Sequence, residues 1–115
     1  NNFEQARIEF DRFLAQHPDS NRTAEVTYRI GVCLYIEERL KESEDVLQRV
    51  IATWPDDPFS IEARFTLGEV LEEQEQLRES LRIFEGLEGA YSNQEALKKK
   101  LIQIRERIKK KKKAI

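Results

Sequence analysis

The sequence predicts an all-α protein of about six helices built on a repeating unit, and three observations carry that expectation. A 37-residue echo runs along the chain: Phe3, Leu40 and Leu77 share a register, as do Ala6/Ser43/Ser80, Phe10/Leu47/Phe84 and Phe13/Val50/Leu87. Self-similarity at a fixed period of that size marks a repeat array, in which each unit buries its apolar face against its neighbours. A second set, Tyr28/Phe65, Ile30/Leu67, Gly31/Gly68, Leu34/Leu71 and Pro18/Pro55, keeps the same offset, so both halves of the unit recur. Apolar residues also return at spacings of three and four, the period of a helix face, whereas no stretch reads as a convincing strand.

The first helix is expected over about residues 2 to 17, with Phe3, Ala6, Phe10, Phe13 and His17 on one face and Pro18-Asp19-Ser20 ending it. Ser20 is the expected N-cap of a second helix running through Glu37. That helix carries two stripes, Val26/Ile30/Cys33/Leu34 and Tyr28/Val32/Tyr35/Ile36, and a helix apolar on two sides must be covered on two sides. Stacking of neighbouring units supplies both covers. The third helix, about 40 to 54, repeats the first and stops at Pro55. Asp57 as N-cap with Pro58 at the first helical position opens the fourth, which reaches about Gln74 and repeats the second. The fifth starts at Leu77 and carries Leu81, Phe84, Leu87 and Tyr91, with Gly86 and Gly89 expected to fray or bend its last turns. Ser92 and Glu95 form an expected capping box for a sixth helix with a single stripe, Leu97, Leu101, Ile104 and Ile108, as suits a terminal, capping element.

Composition narrows the function classes. Apolar residues make up 39% and charged residues 37% of the 115, which suits thin helical layers with wide wetted faces. The longest apolar run, Ile30 to Ile36, is far too short to cross a bilayer. Cys33 is the only cysteine, so no internal disulfide forms, and it is expected to pack as a small hydrophobe. The net charge of −2 hides a division: residues 1 to 93 hold 10 Lys+Arg against 20 Asp+Glu, and residues 94 to 115 hold 10 against 2. An acidic body carries a basic tail.

From Ala24 to Asp57, Ile30-Gly31, Leu34, Leu40, Ser43, Leu47, Val50 and the closing Pro55 together resemble a tetratricopeptide repeat (TPR). The unit is three residues longer than the usual 34, with the excess in the PDSNRTAE and PDDPFSIEA connections. That form is similar to bacterial envelope proteins such as the Tol-Pal coordination proteins and outer-membrane assembly lipoproteins. The resemblance spans Phe3 to about Ile108 and implies a right-handed α-solenoid of antiparallel helix pairs, with a concave face lined mainly by the first helix of each pair. It divides the chain into a half repeat (2–19), two repeats (20–57 and 58–92) and a C-terminal capping helix with a basic tail (93–115). It also implies a periplasmic or cell-envelope location. Thr27 and Arg64 replace the family tryptophan, and Ser43 and Ser80 the family alanine, substitutions expected to weaken the packing. The lysines and asparagines with which relatives clamp acidic chaperone tails are not matched, since Tyr28, Val32 and Thr66 stand there.

Chemistry is not expected, nor a cofactor or metal. His17 is the sole histidine, at a helix end, and no second cysteine joins Cys33 to build a common zinc set. Carboxylate pairs such as Glu72/Glu73 and Asp56/Asp57 sit in charge-rich stretches, where solvation explains them better than acid/base work. The expected site is the concave face: Glu25, Tyr28, Arg29, Val32 and Ile36 in one repeat, with Glu62, Phe65, Thr66, Glu69 and Glu73 equivalent in the next. The first patch is aromatic and aliphatic, the second acidic, which suits a protein segment with an apolar stretch followed by Lys or Arg. The plainer alternative is that Tyr28, Val32 and Ile36 pack only against neighbouring helices.

A non-catalytic scaffold that binds a partner segment on this face or through its ends is therefore the leading expectation. Its rival is an electrostatic tether in which Lys98 to Lys100, Arg105, Arg107 and Lys109 to Lys113 bind nucleic acid or anionic membrane, although the run lacks aromatics for base stacking. One further expectation concerns the first helix. Phe3 aligns with Leu40 and Leu77, so the chain starts on the second helix of a unit and leaves an apolar face uncovered. The protein is expected to be part of a longer array, consistent with its lack of any methionine, or to form a homo-oligomer through that end.

Overall fold

Proline and left-handed backbone punctuate the chain in alternation, and this sets the helix boundaries. A computed structural model describes residues 1–114, so Ile115, the last residue of the expected basic tail, lies outside the described residues. Among the described residues the chain is all-helical, with α1 Asn2–Gln16, α2 Thr23–Ile36, α3 Leu40–Thr53, α4 Pro58–Glu73, α5 Leu77–Glu85 and α6 Gln94–Ala114. His17 and Trp54, the residues after α1 and α3, take φ −133° and −128° because the following prolines exclude them from the helical region. After α2 and α4, Glu38 and Glu75 instead adopt φ +63° and +62°, a left-handed turn in which Arg39 and Gln76 donate backbone N–H groups to Leu34 and Leu71.

Two expected caps move, and one helix is shorter than expected. Ser20 does not cap α2: its hydroxyl accepts from the Arg22 N–H at 3.1 Å, closing a turn, and the helix begins at Thr23 with no side-chain cap. Asn93, not Ser92, caps α6, its Oδ1 accepting from Ala96 N at 3.0 Å, so the Ser92/Glu95 box does not form. Gln94 stitches the preceding segment instead, accepting from Gly89 N and donating to the Tyr91 carbonyl. α5 is only nine residues long. Gly86 ends it and Gly89 turns at φ +81°, which places Leu87 and Tyr91 in the following turns rather than on the helix. Asp57 is the cap that stands as expected, its Oδ1 accepting from Phe59 N at 2.8 Å with Pro58 behind it.

Short connections return each helix alongside the previous one, and α2 also touches α4. The result extends 52 × 31 × 21 Å, with a radius of gyration of 15.2 Å against about 13 Å for a compact chain of this length. Two apolar cores lie in series. Leu47 and Val50 of α3 pack with Ala63, Leu67, Val70 and Leu71 of α4, and Phe84 and Leu87 pack with Leu97, Leu101 and Ile104 of α6.

Glycine sets the helix spacing. A Cβ on Gly31 would lie 2.6 Å from Leu47, and one on Gly68 would lie 2.6 Å from the Phe84 ring. At that approach the Ser43 hydroxyl donates to the Gly31 carbonyl and the Ser80 hydroxyl to the Gly68 carbonyl, both at 2.7 Å and both buried. The two serines thus add a hydrogen bond where weaker packing is expected from the sequence.

Candidate functional site

α2 and α4 lie side by side, and their shared surface carries most of the expected site. Tyr28 on α2 is half-buried, its ring 5.7 Å from that of Phe59, while the Arg29 guanidinium sits 5.9 Å from the same ring. With Pro58 and Glu62 these residues line an open pocket of about 350 Å³. Glu25 holds Arg29 in place through a 3.1 Å ion pair and also binds Arg22, which keeps the Glu25 carboxyl below its ordinary range. Further along α2, Val32 is half-buried and Ile36 is 45% exposed, extending the apolar edge.

The second set of expected residues is arranged differently. Phe65 is not open: the Tyr91 ring stacks on it at 4.2 Å and 7°, and Phe84 meets it edge-on at 5.2 Å. Thr66 is buried. Glu73 is exposed, whereas Glu69 is half-buried with Lys100 Nζ at 3.9 Å. The expected surface therefore separates into an open pocket around Tyr28, Arg29 and Glu62 and a filled part around Phe65 and Thr66. Tyr91, in the segment after α5, covers Phe65, whereas Tyr28 meets Phe59 at the start of α4.

Electrostatics converge on Glu69. Burial pushes its carboxyl above the ordinary glutamate value against the pull of Lys100. All three tyrosines are raised, first by burial and then by nearby carboxylates that include Glu69, and Tyr35 is pushed up to about 12. The phenols stay neutral, so they offer hydrogen-bond donors beside carboxylate acceptors on one face.

Three members of this surface were missed by sequence reasoning. Phe59 and Pro58 open α4, where the repeat pairs Phe59 with Arg22 and gives no signal of an aromatic site. Lys100 was counted with the basic tail. The structure instead ties that tail to the body. Glu72, only 6% exposed, accepts from Lys100 at 2.9 Å and Arg107 at 3.0 Å; Arg107 and Lys111 reach Glu75; and Arg105 reaches Glu85 at 3.1 Å. Glu72 is thus a buried, paired carboxylate rather than a solvated one. The exposed cations of α6 that make no ion pair among the described residues are Lys98, Lys99, Lys109, Lys110, Lys112 and Lys113.

His17 is exposed and tilts against Phe13 at 5.1 Å, and Cys33 is buried, its thiol pushed up mainly by burial. Among the described residues no group of three His, Cys, Asp or Glu side chains is placed to hold a metal ion, and no helix is long and apolar enough to cross a membrane. No protein-family model matches the chain, and no curated protein matches it.

Proposed function

We propose that this chain is a TPR-type α-solenoid that acts as a non-catalytic scaffold, taking a segment of another protein on the face formed by α2 and α4. The Tyr28/Arg29/Phe59/Glu62 pocket carries the reading. It joins two aromatic walls to one cation and one carboxylate, so an apolar or aromatic side chain fills it while a flanking Lys or Arg meets Glu62. Neutral tyrosines and the half-buried Glu69 continue the surface toward Lys100. A cell-envelope setting follows only from the resemblance of the 37-residue unit to envelope repeats.

Four of the ten cations in the C-terminal segment, Lys100, Arg105, Arg107 and Lys111, pair with α4, α5 and the turn between them. Those pairs weigh toward a supporting role for α6 and against the tether. A peptide array displaying an aromatic residue two to four positions before Lys or Arg separates the two readings. Under the scaffold, captured peptides lose binding on Tyr28→Ala and Glu62→Lys in variants that keep their helical circular dichroism, and keep it when residues 109–115 are deleted. Peptide binding that survives both substitutions and fails on the deletion overturns the scaffold and favours the tether.

A further inference from the structure

The repeat supplies its own control for a pocket formed by α3, α4 and α5. Ile51 of α3, Leu67 of α4 and Ile83 of α5 form its apolar floor, and Gln48, Arg64, Arg82 and Gly86 complete a cavity of about 290 Å³. None of these residues lines the Tyr28 pocket. The three helices lie in the middle of the chain, so the cavity takes no wall from α1 or α6.

Moving each lining position back by one 37-residue unit gives its equivalent in the preceding repeat. The apolar three persist there as Leu14, Ile30 and Val46, whereas all four others differ: Asp11 stands for Gln48, Thr27 for Arg64, Asp45 for Arg82 and Arg49 for Gly86. Core packing accounts for the apolar three, since Leu67 belongs to the first core and Ile51 and Ile83 pack against it. The other four positions take the local charge from −1 in the preceding unit to +2 here.

Both arginines stand free in a body rich in carboxylates. Residues 1 to 93 hold 20 Asp+Glu against 10 Lys+Arg, and six of those ten cations take a carboxylate partner. Arg49, Arg64, Arg78 and Arg82 take none among the described residues, although Glu79 and Glu85 lie within one turn of Arg82 on α5. Two of these four unpaired guanidiniums meet at one apolar cavity. Gly86 adds a separate observation. Its backbone is right-handed helical at φ −65° and ψ −12°, and an added Cβ would meet nothing nearer than the Ile83 carbonyl at 3.4 Å, so neither the turn nor close packing requires glycine. What the missing side chain provides is the opening of the pocket, at a position where the preceding unit carries Arg49.

We propose that this pocket binds a small amphiphilic carboxylate, whose aliphatic chain covers Ile51, Leu67 and Ile83 and whose carboxylate meets Arg64 and Arg82. A guanidinium presents a planar fork of N–H donors that matches a carboxylate, and the apolar floor beside it strengthens that contact by displacing water. Each part needs the other. The floor alone has no preference for an anion, and the arginines alone have none for an aliphatic one. The cavity lies at the lower end of the range for small-ligand sites, and its walls come from three helices rather than running along one, which suits a compact molecule better than an extended protein segment.

The test is a titration of octanoate into the isotope-labelled 115-residue chain, followed by amide chemical shifts. Saturable shifts are expected at Ile51, Leu67, Ile83 and Gly86, with a Kd of about 1 mM or below. Octanol keeps the chain without the charge and acetate keeps the charge without the chain, and each is expected to bind at least about tenfold more weakly. Arg64→Gln weakens octanoate about tenfold, and Arg82→Gln, at an exposed site, weakens it less. Gly86→Gln fills the opening and removes binding, while Gly86→Ala, which the 3.4 Å clearance admits, keeps both fold and binding. Octanoate shifts that do not saturate overturn the proposal, as does equal binding of octanol or unchanged affinity in the double variant Arg64→Gln/Arg82→Gln. A peptide carrying Leu-Asp that shifts these amides where octanoate does not overturns it as well, and assigns the pocket to a protein partner.

Discussion

Lys100 Nζ lies 2.9 Å from the Glu72 carboxylate, joining α6 to the middle of the chain through a group that is almost wholly removed from solvent. A carboxylate in that position depends on its partners. Arg107 contacts the other oxygen, so Lys100→Ala leaves one cation in place and is expected to cost about 1.5–3 kcal/mol in urea unfolding. The double variant Lys100→Ala/Arg107→Ala leaves a buried charge unpaired and is expected to cost about 3–5 kcal/mol, with α6 amides losing exchange protection first.

The buried serines separate bonded hydroxyls from an idle one. Ser43→Ala and Ser80→Ala each remove a 2.7 Å bond to a glycine carbonyl and are expected to lower stability by about 1 kcal/mol. The Ser60 hydroxyl is equally buried but has no hydrogen-bond partner among the described residues. Ser60→Ala is therefore expected to be neutral or stabilising, and thermal unfolding of the three variants orders them.

Glu38 and Glu75 occupy the same left-handed turn one unit apart, yet they differ in what they hold. The Glu38 side chain is exposed, so Glu38→Gly relieves backbone strain at little loss and is expected to gain roughly 0.5–1 kcal/mol. Glu75 contacts Arg107 and Lys111, and Glu75→Gly gives up both pairs together with the strain. Its melting temperature is expected to rise less than that of Glu38→Gly, or to fall.

Acid acts on this protein in two opposite ways. Arg7 holds the Glu37 carboxyl below its ordinary 4.5, and Lys111 followed by Arg107 does the same for Glu75. A depressed acid contributes its full stability above the ordinary value and loses it as pH falls through the depressed one. Glu69 is raised by burial, so its native form takes up a proton before the unfolded chain does. Its contribution grows as pH falls through the raised value and is complete below 4.5. Urea unfolding between pH 7 and pH 3 checks both signs. Glu69→Gln is expected to exceed the parent at neutral pH by a margin that shrinks on acidification, whereas Glu37→Gln starts below the parent and meets it in acid.

The helices were legible because their signals are local or periodic. Pro18 and Pro55 mark two ends, Asp57-Pro58 marks a start, and the 37-residue echo aligns faces that do become cores. Caps were less legible, because Ser20 and Ser92 are good capping residues that happen to sit within turns of other geometry. Of the expected site, Tyr28, Arg29 and Glu62 share an open pocket, but Phe65 is filled by Tyr91 across a gap in sequence that no local pattern spans. The docking of the basic helix was hidden for a related reason. Composition counts charges, and only the fold shows that Glu72 and Glu75 face Lys100, Arg107 and Lys111.

Two cores in series, with no buried residue in common, divide the packing of this small protein into layers. A cavity cut at Leu47 weakens the α3/α4 layer, and it reaches Phe84 through α4 and through Ile83, which packs against the first core. Damage is therefore felt most close to where it is made. A partner that spans both layers adds to the communication between them, so bound and free forms differ most in how widely a single substitution is felt.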